Sequence, residues 1–222
     1  MRTKVRVWDL PTRVFHGALV LGVIGSITTA QIGGIAMEWH FRCGYAILSL
    51  LLFRLIWGVL GGRWSRFNTF TYTPKDTMAY MRGQHTKVDS SVGHSPAGAL
   101  SVFALLAVLL AQVFSGLTSD DQIASAGPMV HFVSSAWTNN ATWYHVTIGK
   151  VILLGLMALH IGAIIFYLVV KRQNLIKPML DGDKEIYSAA PGSTDTGATR
   201  SLALAILIGC VLLVAWLVKL AV

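Results

Sequence analysis

WYHVTIGKVILLGLMALHIGAIIFYLVVKR, residues Trp143 to Arg172, decides how the rest of the chain is read. The stretch is predominantly apolar and, as a helix rising about 1.5 Å per residue, is long enough to cross a hydrocarbon core about 30 Å thick. It nevertheless carries His145 near one end and His160 near the other. Their separation of 15 positions leaves the two rings about 60° apart in azimuth and roughly 22 Å apart in height on a straight helix. One helix face therefore offers a nitrogen ligand near each side of a membrane, which is an arrangement for two stacked metal or haem sites.

The composition points to the same solvent. Of 222 residues, 54% are hydrophobic and 13% charged, and the mean hydropathy is +0.61, outside the range of soluble globular domains. The formal charge of +8 does not mark a nucleic-acid binder, because the basic residues sort by loop rather than forming one face. Cys43 and Cys210 both lie in apolar segments, with no Cys-x-x-Cys pair and no Cys-x-x-Cys-His. A zinc ribbon, a redox dithiol and covalent haem attachment are thereby unsupported.

Taken in order, the chain is predicted to cross the membrane five times, giving an all-α polytopic protein. The first span covers about 14–37 and the second about 40–60, joined so tightly that they form an antiparallel hairpin. The basic start followed by an apolar run could pass for a secretory signal, but His16 inside that run favours a span. In the second span His40, Gly44, Ile47, Leu51, Arg54 and Gly58 form one continuous stripe. Residues 61–95 read as a basic loop in which Pro74 breaks any long helix. Ser95 and Pro96 suit the N-cap and first position of a third span, about 97–117. The fourth span covers about 144–170, residues 187–200 read as a loose polar linker, and 201–222 as a fifth span.

Lys and Arg are four before the first span, five in 61–95 and five in 171–200, with none in 32–39 or 118–142. This bias puts the N-terminus in the cytoplasm and, after five crossings, the C-terminus outside. His16 and His160 then lie at compatible depths towards the cytoplasm, and His40 and His145 towards the outside. Two imidazoles per iron fill both axial positions of a b-type haem and leave a low-spin centre suited to electron transfer. Gly17, Gly44, Gly149 and Gly162 lie near these ligands and offer room for a flat macrocycle, although glycine is also common where membrane helices touch. Haem carboxylates want cations: Arg42 and Lys150 are placed for the outer site, while Arg54, about 21 Å along the helix from His40, reaches the depth of the inner one. The plainer readings are a histidine hydrogen-bonding between helices and a basic side chain reaching for the interface. His94 reads as a helix-end residue, with contact to a haem carboxylate or a quinone head group as the alternative; His85 and His131 read as solvated, and Trp39, Trp143 and Tyr144 as interface anchors.

With these residues in view, the sequence resembles the prokaryotic cytochrome b561 family, which includes the cytochrome b subunits of nickel-iron hydrogenases. The likeness runs from about residue 5 to 186. VWDLPTRVFH is similar to the family's opening segment through Asp9, Arg13 and His16. His40 with Gly44 and Arg54 resembles the second helix, GHSPAGAL the start of the third, and His145, His160 and NLIKPMLDGDK the fourth helix and its exit.

The resemblance implies a four-helix di-haem domain over 1–186, with His16, His40, His145 and His160 as axial ligands of two haem b groups and no separate catalytic residue. It further implies exchange of electrons between the quinone pool and a redox partner such as a periplasmic c-type cytochrome. The fifth span, found in hydrogenase-type members, carries no histidine and reads as an accessory helix or docking surface. Alternatives are a membrane subunit of a hydrogenase or other dehydrogenase, and a quinone-linked superoxide oxidase. From another class come a small transporter and a structural membrane anchor.

Overall fold

The computed structural model describes residues 3–83, 92–186 and 190–221; His85 lies outside them. Among the described residues, five helical segments are long and apolar enough to cross a membrane: Leu10–Ile32, Gly34–Leu60, Pro96–Leu117, Ser135–Val169 and Gly197–Ala221. We label the elements β1 (Thr3–Arg6), α1 (Leu10–Ile32), α2 (Met37–Leu60), α3 (Pro74–Met81), α4 (Pro96–Leu117), α5 (Ser135–Trp143), α6 (Lys150–Val169), α7 (Ile176–Asp181), β2 (Asp183–Ile186) and α8 (Gly197–Ala221). Between α5 and α6, Tyr144–Gly149 forms a π-helical turn. Only 6% of the most apolar window in Ser135–Val169 is buried, and large side chains such as Leu21, Val151, Leu159 and Leu212 are exposed. Lipid is the solvent that accepts such a surface, and the protein is a multi-pass membrane protein.

The ends of the spans differ from the sequence expectation for local reasons. Asp9 precedes the first turn of α1 and its Oδ1 accepts from Thr12 N at 2.8 Å, so the helix starts at Leu10 rather than Val14. It stops where Gly33 and Gly34 take φ of +67° and +54°, a left-handed turn that glycine adopts without a steric penalty. Pro74 begins the short helix α3: it follows Thr73, whose hydroxyl accepts from Asp76 N while Asp76 caps Thr73 in return. The fourth crossing extends back to Ser135, capped by Ser134.

The chain divides into two compact units. One comprises Met1–Phe15, Arg54–Ala104 and Ala158–Leu204. In it β1 pairs antiparallel with β2, Thr3 opposite Ile186 and Arg6 opposite Asp183. Val5, Val7, Trp8, Trp64, Val92 and Ile186 form its core. Asp9 is fully buried and accepts from Thr12 N, Trp57 Nε1, Gly62 N and Ser65 Oγ, so its lone pairs are met by donors from two stretches of chain. Arg13 donates to Leu180 O. The polar stretch expected to be loose is held down from residue 190 onwards: Ser193 N donates to Arg6 O and Ser193 Oγ to Val7 O, each at 2.7 Å. Its composition suggested a linker, but its serine and aspartate side chains serve as partners for β1 and its neighbours.

The other unit comprises His16–Phe53, Leu105–Met157 and Ala205–Val222. In it a Cβ on Gly22 would meet Ile47, and one on Gly25 would meet Cys43 Sγ, each at 3.1 Å. The rising number on α1 against the falling number on α2 is the antiparallel hairpin. Leu48, Leu117 and Val214 form a buried cluster, which ties α8 to α2 and α4.

Candidate functional site

Within the second unit, His40 near the start of α2 and His145 in the π turn bring their rings to 6.0 Å between centroids, at 86° to one another. Each ring is oriented by a backbone carbonyl. His40 Nδ1 lies 2.9 Å from Ser26 O and His145 Nδ1 lies 2.8 Å from Gln112 O. A carbonyl oxygen brings no proton, so in both imidazoles Nδ1 carries the hydrogen and donates it. Nε2 is then the bare nitrogen, which is the tautomer a metal ligand needs. Ser26 Oγ at 3.1 Å and Ser115 Oγ at 3.3 Å complete the same side of each ring.

The two histidines line a cavity of 360 Å³, within the ~300–1,000 Å³ range of small-molecule and cofactor sites. Its walls are mostly apolar, from residues such as Ile27, Ile47, Leu109, Val113 and Leu153, with Gln112 and Lys150 among the polar side chains that interrupt them. Ser119, Asp121 and Ser125 also line it. The Asp121 carboxylate accepts from the backbone N–H groups of Ile123, Ala124 and Ser125. These bonds, Ser125's first, hold it below the usual carboxylate range.

The donor set fits a b-type haem. Two imidazoles holding one ion through bonds of about 2 Å have centroids roughly 6 Å apart. Gly44, on the cavity wall, has nothing within 4 Å of where a Cβ would stand. No group of three or more His, Cys, Asp or Glu side chains placed to hold a metal ion occurs among the described residues, so the two-imidazole pair is the ligand arrangement on offer.

Other expected residues fall differently. Lys150 lines the cavity, but Arg42 does not; it is exposed, paired with Glu38 one turn away and stacked over Trp39 at 4.9 Å. A glutamate at i−4 on the same helix face captures it more readily than a ligand across the cavity. Gly149 is filled space rather than a cradle, since a Cβ there would strike Gln112 and Tyr144. Gly17 and Gly162 have nothing within 4 Å. His131, Trp39 and Trp143 are exposed, and His16 and His160 half-buried.

In the first unit Arg54 is 3% exposed and lies 4.5 Å over the Phe67 ring. His94, two residues before α4, packs on Phe70 at 4.3 Å and Trp8 at 4.7 Å. Burial first, then the charges of Arg54, His160 and Lys184, push its pKa down to about 3, so the ring is neutral. The sequence reading missed Ser26, Gln112, Gly116 and Asp121. Gln112 had a signal, being an amide within an apolar crossing; the carbonyl of Ser26 had none.

With this geometry in place, comparison with known families gives one result: the model of the family described as Prokaryotic cytochrome b561 matches residues 7–182. Neither the curated proteins nor the solved structures give a match.

Proposed function

Since the chain belongs to the prokaryotic cytochrome b561 family, whose members carry out b-type haem electron transfer in membranes, we propose that it is a di-haem cytochrome. In this reading it moves electrons across the bacterial inner membrane between the quinone pool and a redox partner such as a periplasmic c-type cytochrome. The observation that carries the proposal is the pair His40 and His145, protonated at Nδ1 and centred 6.0 Å apart on an apolar cavity. The second ligand pair, His16 and His160, and the two-haem count rest on depth in the sequence and on the family.

Bound haem would supply one-electron iron chemistry, and His40 and His145 would be the residues that hold it. The chain's residues do the rest. Ser26 O and Gln112 O fix the tautomer and the plane of each ligand ring. The apolar walls keep water from the iron and lower the local dielectric, which makes the charge on Lys150 count for more than it would in water. Lys150 is the cation on the cavity wall placed to meet a haem carboxylate. The basic loops before α1, between α2 and α4, and after α6 support an N-terminus in the cytoplasm, which sets the His40 and His145 site towards the periplasm.

The test is a haem assay with a reduced-minus-oxidised spectrum on purified protein. Two b haems per chain are expected, with one lost in His145→Ala and the other retained. A colourless preparation, or a His145→Ala protein that keeps its full haem complement, overturns the proposal.

A further inference from the structure

The first unit holds buried side-chain nitrogens for which the described residues provide no hydrogen-bond partner. Arg54 is nearly sealed from solvent on α2, and its Nη1 has no hydrogen-bond partner among the described residues. Asp9 is the carboxylate whose charge reaches it, but Asp9 is already taken by Thr12, Trp57, Gly62 and Ser65. A buried guanidinium N–H with nothing to donate to is costly, and the cost disappears when an oxygen acceptor arrives.

A continuous aromatic stack leads from that guanidinium to a second unmet atom. Phe67, under Arg54, packs on Phe70 with centroids 5.9 Å apart, and Phe70 packs on His94. Gly58, one turn beyond Arg54, leaves room for the Phe67 ring, which a Cβ there would strike. His94 is anchored through its backbone carbonyl, which accepts from Tyr72 Oη at 2.9 Å. Its Nδ1 is buried and has no partner among the described residues. A neutral imidazole always has one N–H to offer.

We propose that Arg54 Nη1 and His94 Nδ1 are the two donors of a buried oxygen-acceptor site, and that the acceptor is a carboxylate of the haem bound on the side of His160. The assignment rests on the two-haem reading. A carboxylate is favoured over a neutral carbonyl because Arg54 adds a positive charge near His94 and Asp9 is already taken by four donors. An anion balances that excess and a quinone carbonyl does not.

The experiment uses the purified holoprotein, comparing wild type with His94→Leu, His94→Asn and Arg54→Gln. Haem per chain, the reduction potential of each haem and co-purifying quinone are measured for all four. His94→Leu keeps two haems and makes one of them harder to reduce by about tenfold in its redox equilibrium, or about 59 mV for one electron. Losing a donor leaves the carboxylate's negative charge less screened and favours oxidised iron. Arg54→Gln shifts the same haem in the same direction, and His94→Asn, whose amide N–H replaces Nδ1–H, restores most of the wild-type value. Unchanged potentials with two haems in His94→Leu and Arg54→Gln overturn the assignment. Loss of quinone at unchanged potentials overturns it in favour of a quinone carbonyl. A wild type with a single haem that His145→Ala removes sinks the two-haem reading and this site with it, a result separate from the other two.

Discussion

Gln112 holds His145 at two points. Its backbone carbonyl accepts from the ring at Nδ1 and its side-chain Nε2 donates to the carbonyl of His145 at 2.8 Å. The first bond survives any substitution that keeps the helix, whereas the second does not. Gln112→Leu leaves a carbonyl of the π turn unmet in an apolar wall, which costs about 1–3 kcal/mol. The expected result is a lower thermal midpoint in detergent with haem content unchanged; loss of haem would mean that the side chain, not the carbonyl, sets the ring. Gly116 sets the opposite limit. A Cβ there would stand 2.7 Å from Cε1 of His145, inside contact distance of a ring that is already hydrogen-bonded in place. Gly116→Val is therefore expected to displace the imidazole and remove one haem, read as a halved haem-to-protein ratio.

At the scale of elements, the π turn over Tyr144–Gly149 matters most. Such a turn carries one residue more than an α turn over the same path and occurs often at functional sites. The extra residue changes the phase of His145 by about 100° relative to an unbroken helix. Deleting one residue among Val146, Thr147 and Ile148 converts the turn to regular α-helix and swings His145 away from His40. The expected outcome is loss of one haem with helical content unchanged by circular dichroism; full haem content would show that the ring tolerates either phase. Hydropathy made the crossings legible because each is longer than a soluble helix needs to be, and depth alone brought His40 and His145 to one level. The π turn was not legible, since YHVTIG has no Pro and no side chain that marks a wider turn. Nor was the capture of Arg42 by Glu38 anticipated, although the spacing of four was there to read. The strands β1 and β2 were hidden for another reason: four residues each are too few for alternation to stand out, and their pairing joins positions 183 residues apart at the extreme, Thr3 with Ile186.

For the molecule as a whole, the early and late parts of the chain are joined by charge. Arg6 Nε lies 2.5 Å from Asp183 Oδ1 and its Nη1 2.8 Å from Asp195 Oδ2, while Lys4 reaches Asp183 at 3.2 Å and Arg200 reaches Asp195 at 2.8 Å. Arg6, then Lys4, hold the Asp183 carboxyl below its ordinary value, and Arg200, with Arg6, does the same for Asp195. The two carboxylates are 15% and 5% exposed at their side chains, so the pairs are less screened than a surface ion pair but are met by cations that water still reaches. The pairs that Arg6 makes with Asp183 and Asp195 then contribute about 1 kcal/mol each. Because both pKa values are lowered on folding, the unfolded chain binds more protons in the window between the lowered values and about 4. The stabilisation is therefore complete above about pH 4 and disappears as pH falls through the lowered values. The carboxylates alone impose no slope between pH 5 and 8. Asp183→Asn is expected to lower the thermal midpoint of the purified protein at pH 7 by a few degrees and to match wild type at an acid pH below the lowered value, where the wild-type carboxyl is itself protonated. A deficit of equal size at both pH values would mean that Asp183 acts through its hydrogen-bond geometry and not its charge, and the electrostatic link between β1 and the segment leading into α8 would have to be abandoned.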